Sequence, residues 1–378
     1  MPEAKRKIYY LSHYNDPAVT GEDRVVSLAA KTKMDYICDV LLRLGFEVNI
    51  VSMAPPAGSS RCPGGTFALR DGVSLTLFPV LPKGSKVNGA ANALRLRSNV
   101  SRFLRGLAPD DTVLCYHSLL FCGLLQKAKA KAGFRLVLEV EELYSDVTGK
   151  SADRRREEEL FRHCDAFVFP TEMLAGAVGT AGRPYAICSG IYQMNERVAR
   201  KRDDGRIHVV YAGTLDPRKG GAAAAAAAGA FLDARYALHI LGGGSDEWVS
   251  MIRDAVAEAD EKGRGCEVTY EGLKSGREFD AFVQSCHIGL SPQNPDAEFN
   301  ATSFPSKVFM YLSNGLSVVS VDLPVFTGEI REALTLCPDN APETLARAIE
   351  AADSRMGAEA LLDKLDNEFG ESLDSLLR

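Results

Sequence analysis

Several groups of residues have types and spacings that could do chemistry. "EVEELYSD", residues 139 to 146, gathers Glu139, Glu141, Glu142 and Asp146. Carboxylates in that density suit acid–base work or hydrogen bonding to hydroxyl groups, and the bland alternative is the capping of a following helix. His117 closes the apolar run "VLCYH" and reads either as a satisfied core histidine or as a ligand contact beyond a strand end. Three turns come later: "AGTLDPRKGG" with Gly213, Arg218 and Lys219, "LGGGSDE" with Gly243 and Gly244, and "NATSFPSKVFMYLSNG" with Ser303, Ser306 and Lys307. Each alone is as easily a tight turn or a solvated lysine as a phosphate cradle; three in order point to a nucleotide diphosphate. In the third, Pro305 can open a helix and Gly315 can close it. Met310 is the oddity there, because a hydroxyl-rich ligand asks for a carboxylate where this chain has a thioether.

The elements that must position these residues follow from periodicity. "KIYYLS", "FEVNIVS", "VSLTLFPV", "TVLCYH", "RLVLEV" and "DAFVFP" read as buried strands, separated by helical stretches that include residues 91–107, 119–132 and 152–163. Met34, Ile37, Cys38, Leu41 and Leu44 share one face of a helix between the first two strands. Strand and helix alternating at this spacing imply parallel sheets covered on both faces. The rhythm stops at "YQMNERVARKRDDGR", residues 192–206, and restarts with "IHVVYAG", then "ALHILG", "CEVTYEG", "HIGLSP" and "LSVVSVD". The alanine run from Gly220 to Ala230 is expected to be a helix rather than a flexible spacer. The expected fold class is therefore α/β, with two doubly wound Rossmann-like domains whose parallel sheets face each other across a cleft. The domains are read as 1–191 and 207–355, joined by a linker over 192–206, with a C-terminal helix over 356–378 that can pack back on the first domain.

Composition narrows the function. A net charge of −6 disfavours nucleic acid as a partner. No apolar run reaches the length of a membrane span, and the amino-terminal residues lack a signal-peptide pattern, so a cytoplasmic protein is expected. The nine cysteines are scattered with no C-x-x-C pair, which points to buried thiols and to no metal. Between Asp71 and Asp110 there is no acidic residue, while Lys83, Lys86, Arg95, Arg97, Arg102 and Arg105 are interleaved with Leu94, Val100, Phe103, Leu104 and Leu107. A basic amphipathic helix over residues 83–107 can be an ordinary surface helix or a peripheral contact with the inner face of an anionic membrane.

The order "VVYAGTL…KGG…LHILGGG…VTYEG…IGLSP…TSFPSKVFMYLSNGLSVVS" resembles the donor domain of GT-B glycosyltransferases of the retaining family-4 type, which build bacterial surface polysaccharides. The likeness spans about residues 207–325 and is looser over the first domain, where "DRVVSLAAKTKMDYICDVLLRLGFEVNIVS" is similar to the opening βα unit. The resemblance implies a metal-independent hexosyltransferase without a cofactor. Its co-substrate is a nucleotide diphosphate sugar, a UDP-sugar being favoured over a GDP-sugar, and its acceptor a saccharide or lipid-linked glycan. Lys219 would hold the diphosphate, with Arg218 assisting because Thr214 stands where the family has an arginine. Gly213, Gly243, Gly244, Gly272 and Leu273 would line the donor, and Ser303, Phe304, Ser306 and Lys307 would face its sugar and phosphates. His117 matches a histidine beside the transferred sugar, so His117 and Lys219 are the catalytic candidates. The family's paired glutamates fall at Thr302 and Met310, which leaves Asp296 or Glu298 as substitute carboxylates. Arg24, Glu139, Glu141 and Glu142 are the acceptor-side candidates. Two other readings stay open: a non-catalytic GT-B-like subunit binding a nucleotide sugar or a partner, and a nucleotide-sugar epimerase using the carboxylates at 139–142.

Overall fold

The computed structural model describes residues 6–145, 150–217, 221–353 and 358–378, without the side chains of 298 and 299. The chain forms two units, residues 1–188 with 369–378, and residues 189–368.

The first unit is built on β1 (Lys7–Ser12), β2 (Glu47–Ser52), β3 (Gly65–Arg70), β4 (Val73–Leu77), β5 (Thr112–Tyr116), β6 (Arg135–Glu139), β7 (Ala166–Phe169) and β8 (Tyr185–Ile187). They form one eight-stranded sheet in the order β3-β4-β2-β1-β5-β6-β7-β8. The sheet is not wholly parallel: β3 pairs antiparallel with β4 at the edge. Asp71-Gly72 makes that hairpin turn, Gly72 taking a φ of +75°, and Asp-Gly is a favoured two-residue hairpin pair. Because β3 lies mostly outside the core, its side chains carry no apolar alternation to reveal it. The inner strands are buried on both faces, as β-branched and aromatic runs such as "RLVLE" and "AFVF" require. Helix Lys86–Arg105 lays Leu96, Val100 and Leu104 on this sheet, and each such fully buried side chain contributes about 1.5–3 kcal/mol.

The second unit holds β9 (Ile207–Ala212), β10 (Tyr236–Leu241), β11 (Glu267–Gly272), β12 (Ile288–Ser291), β13 (Ser317–Val321) and β14 (Leu334–Cys337). All are parallel, in the order β11-β10-β9-β12-β13-β14. The alanine run is helical over Ala222–Ala228. Small residues are needed there, because a Cβ on the next residue, Gly229, would stand 2.3 Å from Val268 Cγ2. Residues 192–206 belong to the second unit rather than standing free. Gln284 Oε1 accepts hydrogen bonds from Val198 and Ala199 N–H at 2.8 and 3.1 Å. The last helix, Glu359–Leu377, returns to the first unit. Phe369 stacks on Tyr36 at 6.0 Å, and Arg135 donates to the Leu376 carbonyl at 2.7 Å.

In each sheet the chain reverses its direction of travel once. From β9 it steps to β10 and β11, then returns to place β12 on the other side of β9; from β1 it steps to β2, then returns with β5. Loops leaving β9 and β12, or β1 and β5, therefore part from one another and leave a crevice at the carboxyl ends of the strands, where open α/β sheets bind ligands.

Candidate functional site

At the reversal point of the second unit, the loop after β12 returns Lys307 toward the turn after β9. A Cβ on Gly213 would lie 2.3 Å from Lys307 Cε and 3.1 Å from its Nζ, so only a glycine leaves room for this cation. Lys307 Nζ lies 5.3 Å from the Tyr211 ring centroid, and the Tyr211 hydroxyl donates to the Thr214 carbonyl at 2.7 Å. No carboxylate among the described residues pairs with this ammonium. Burial therefore acts on it uncompensated and lowers its pKa to about 8. The helix that Lys307 begins, Lys307–Ser313, is short and has no side-chain cap from Ser306, so the charged side chain is its main feature for an anion.

The turns after β9, β10 and β11 lie side by side. Gly213 N–H donates to Leu241 O at 3.0 Å, Gly242 N–H to Gly272 O at 3.0 Å, and Leu215 N–H to Gly243 O at 3.3 Å. Gly242 has φ +157°, and a Cβ there would meet Gly213 O at 2.0 Å, so the turns touch backbone to backbone. Gly272 takes φ +72° and delivers Leu273, which is 78% exposed. The helix after "LGGG", Asp246–Lys262, does not offer a bare N-terminus to phosphate: Ser245 accepts from Trp248 N–H, and Asp246 and Glu247 occupy its first turn. Gly243 and Gly244 thus contribute close backbone approach without positive charge.

The remaining donor-side candidates divide. Phe304 stacks on Phe309 at 5.1 Å and meets Phe326 edge-on at 5.5 Å, which makes it a hydrophobic anchor of its loop. Ser303, Thr302 and Met310 are half-buried and Ser306 and Thr214 exposed. Met310 sends no polar side-chain group toward the crevice, and its carbonyl accepts from Asn314 Nδ2 at 2.8 Å. Of the substitute carboxylates, Asp296 is exposed and the Glu298 side chain is outside the described part. Arg218, Lys219 and Asp146 lie outside the described residues. Asp216, 6% exposed with its N–H on Thr214 Oγ1 at 3.2 Å, is a buried carboxylate in the first turn that sequence reasoning passed over.

In the first unit two expected side chains lie buried among protein neighbours. His117 is buried, its ring lying edge-on to Tyr144 at 5.1 Å and against Phe161 at 5.5 Å, with Nε2 3.6 Å from Glu157. Desolvation drives its pKa down to about 4, so it is a neutral ring, and neither of its buried nitrogens has a hydrogen-bond partner among the described residues. The strand end was read correctly, but one residue beyond β5 the side chain turns inward under helix Ser151–His163. Arg24 is likewise consumed: it pairs with Glu22 at 2.6 Å and donates to the carbonyls of Ala54 and Phe78 at 2.8 Å, fastening the first loop rather than meeting a ligand or the carboxylates at 139–142.

The histidine that does stand at the β1/β5 reversal point is His13. Its Nε2 is 3.3 Å from Ser118 Oγ, its Nδ1 3.3 Å from Met53 O, and its ring stacks on Phe121 at 5.2 Å. It remains partly exposed while burial lowers its pKa. The signal was a histidine directly after the first buried strand.

The carboxylates at the end of β6 are brought together as alternation implies. Glu139 is wholly buried and accepts from the Tyr10 hydroxyl; Glu141, alongside, takes the Lys33 ammonium; Glu142 is exposed. Burial first, and the Glu141 charge second, raise the Glu139 pKa to about 8, so it is mostly protonated at neutral pH. Glu141, its side chain 26% exposed, is the member that a ligand can touch. Helix Lys86–Arg105 turns Val87 and Leu94, 77% and 70% exposed, outward among its basic residues.

No group of three or more His, Cys, Asp or Glu among the described residues could hold a metal, and all nine cysteines are free and buried. No helix among the described residues is long and apolar enough to cross a membrane. No protein-family model matches the sequence, and no curated protein matches it. Solved structures do. Trehalose-6-phosphate synthase of E. coli, bound with UDP-2-fluoro glucose, is 11% identical, with 98% of each chain covered and a TM-score of 0.70. Sucrose-phosphate synthase of Thermosynechococcus elongatus is 13% identical, covering 98% of this chain and 94% of that one, with a TM-score of 0.64. Anabaena HepE, in complex with UDP and glucose, is 13% identical over 98% of this chain and 100% of that one, with a TM-score of 0.62. At such identity the likeness bears on architecture alone, and it establishes that this chain has the GT-B fold of two Rossmann-like units.

Proposed function

We propose that the protein is a glycosyltransferase that moves a sugar from a nucleotide diphosphate sugar, UDP-linked in preference to GDP-linked, to a hydroxyl of a saccharide or lipid-linked acceptor. The observation that carries this reading is the uncompensated Lys307 cation seated against Gly213 at the reversal point of the second unit. Such a cation is costly to bury without an anion, and a diphosphate supplies one. Lys219, in the K-G position of the resemblance, joins it, and exposed Leu273 gives the nucleobase an apolar rest. In the first unit His13, Ser118 and Glu141 are the groups offered to an acceptor. The fold likeness to structures that hold UDP with a sugar supports the class.

The transfer proposed is a retaining one. The bond between the anomeric carbon and the phosphate oxygen breaks, the acceptor hydroxyl bonds to the same face of that carbon, and its proton passes to the departing diphosphate. Lys307 opposes the negative charge that grows on the leaving group and so favours the transition state over the bound donor. The biological setting we favour is cell-surface polysaccharide synthesis, with the Lys86–Arg105 helix resting its Val87 and Leu94 tips and basic fringe on anionic lipid.

One observation favours a second reading. Thr302 and Met310 leave both positions of the family's glutamate pair without carboxylates, as in a subunit that binds a nucleotide sugar without turning it over. Incubation with UDP-, GDP- and CMP-sugars tests both. Slow hydrolysis of one donor supports transfer, nucleotide binding without hydrolysis supports the second reading, and absence of any nucleotide binding removes both. A new sugar still attached to its nucleotide would instead mark an epimerase.

A further inference from the structure

A cavity of about 480 Å³ lies on the first unit among helices Lys86–Arg105, Cys122–Ala132 and Ser151–His163. Its size falls within the range of small-molecule sites, and none of the strand-end groups described above lines it. Arg97, Arg155 and Arg156 converge on it from two of the helices, with Gln126 and Gly123 from the third. The one carboxylate in its wall, Glu159, is already bound by Arg162 at 2.5 Å. Arg156 is held at the rim by its hydrogen bond to the Leu119 carbonyl at 2.9 Å and lies 3.6 Å from the Asp153 carboxylate, while Arg97 and Arg155 form no ion pair among the described residues. Two guanidinium groups without an acidic partner and a third paired only at 3.6 Å, beside one acid already held by Arg162, are a local excess of positive charge in a chain of net charge −6.

The backbone adds to this. Cys122–Ala132 begins at the cavity without a side-chain cap and without an acidic residue in its first turn. A Cβ on Gly123 would meet nothing within 4 Å, so this turn opens on the cavity rather than packing against a neighbour. Planar guanidinium forks together with an open helix start suit a compact oxyanion of more than one charge better than a lone carboxylate.

We propose that this cavity binds a phosphate group, and that the acceptor carries it, either as a phosphorylated sugar or as the phosphate end of a lipid carrier. Only the word acceptor rests on the transfer reading; the phosphate site stands on the cavity itself.

Calorimetric titration of inorganic pyrophosphate into the full chain carrying Lys307→Ala, which removes the Lys307 cation of the second unit, tests the site. Saturable binding is expected, weakened at least about tenfold by Arg155→Gln and again by Gly123→Asp. The second variant separates ligand from fold: an acid at the second position of a helix favours its dipole, so the melting temperature holds or rises while the anion is repelled. No saturable binding, or affinity unchanged in both variants, overturns the proposal. Two competitors then identify the carrier, a hexose 6-phosphate in solution and a polyprenyl phosphate in phosphatidylcholine vesicles. Displacement by either supports an acceptor of that source, and displacement by neither overturns the acceptor assignment. UDP titrated into the parent and into Gly123→Asp should bind alike; pyrophosphate binding in the cavity with no UDP binding anywhere would defeat the transfer reading and leave this site standing.

Discussion

Lys307 fills the space that a side chain on residue 213 would need: a Cβ there would stand 2.3 Å from Lys307 Cε. A glycine after β9 and a lysine after β12 are far apart in sequence, and the strand order makes them one site. Gly213 does not need its glycine for backbone conformation, since its φ is not in the left-handed region. Gly213→Ala should therefore fold with little change in melting temperature yet push the ammonium aside. The affinity for UDP, measured by calorimetry, is expected to fall about tenfold. Undiminished affinity would remove Lys307 from the diphosphate site.

The depressed pKa of Lys307 gives a pH dependence whose sign can be worked out. The folded value of about 8 lies below the ordinary 10.5, so between these values the unfolded chain binds more protons. Its cost to stability is present in full below about pH 8 and is relieved as pH rises toward 10.5. Donor binding should move the opposite way, weakening above about pH 8 as the cation is lost. Lys307→Arg, which stays charged, should flatten the UDP affinity profile over that range. A parent profile already flat between pH 7 and 9.5 would argue against the assignment.

Lys219 and Met310 allow a comparison of roles. If Lys219 holds the diphosphate, Lys219→Ala should abolish UDP binding to within detection, whereas Met310→Glu should alter it only modestly, through the ribose. The reverse ranking in parallel titrations would move the diphosphate away from the first turn.

Glu139 should leave a signature in stability. Its folded pKa of about 8 lies above the ordinary 4.5 because it is buried beside Glu141. The protonated, Tyr10-bonded form contributes fully below about pH 4.5, and that contribution is lost as pH rises through about 8. Glu139→Gln keeps an acceptor for Tyr10 and cannot ionise. Urea midpoints should thus decline between pH 5 and 8.5 in the parent and less steeply in the variant, and equal slopes would show that Glu139 is ionised in the fold.

His13 is partly exposed at its strand end while His117 is buried, and their variants should differ accordingly. His13→Ala should leave UDP affinity unchanged and slow sugar transfer more than about tenfold. His117→Ala empties a buried aromatic site and should cost about 2–4 kcal/mol in unfolding experiments. A His117 variant with parent stability and no transfer would restore it to the sugar site.

Much of the architecture was written in the one-dimensional pattern. Apolar runs alternating with helical periodicity place eleven of the fourteen strands where a parallel sheet needs them, because burial on both faces leaves a continuous hydrophobic trace. Three strands at sheet edges, β3, β8 and β14, leave little such trace: β3 is mostly outside the core with little alternation, and only Asp71-Gly72 marks its hairpin. The glycine turns and Lys307 were legible because backbone approach and charge are properties of single residues.

What the sequence alone determined was the set of groups at strand ends: the glycines at 213 and 242–244, Lys307, and the carboxylates after β6. What tertiary structure decided was which of them are free. His117 and Arg24 sit at the expected places in the chain, yet one is desolvated among aromatic rings and the other is saturated by Glu22 and two carbonyls. His208 and His239, unremarked in the sequence, are brought to 2.9 Å between Nδ1 and Nε2 with Arg202 beside both. The physical reason is the same throughout. Periodicity fixes on which side of a strand or helix a side chain leaves the backbone, whereas its solvation and its partners are set by elements far away in the chain, which only the assembled sheet order brings near.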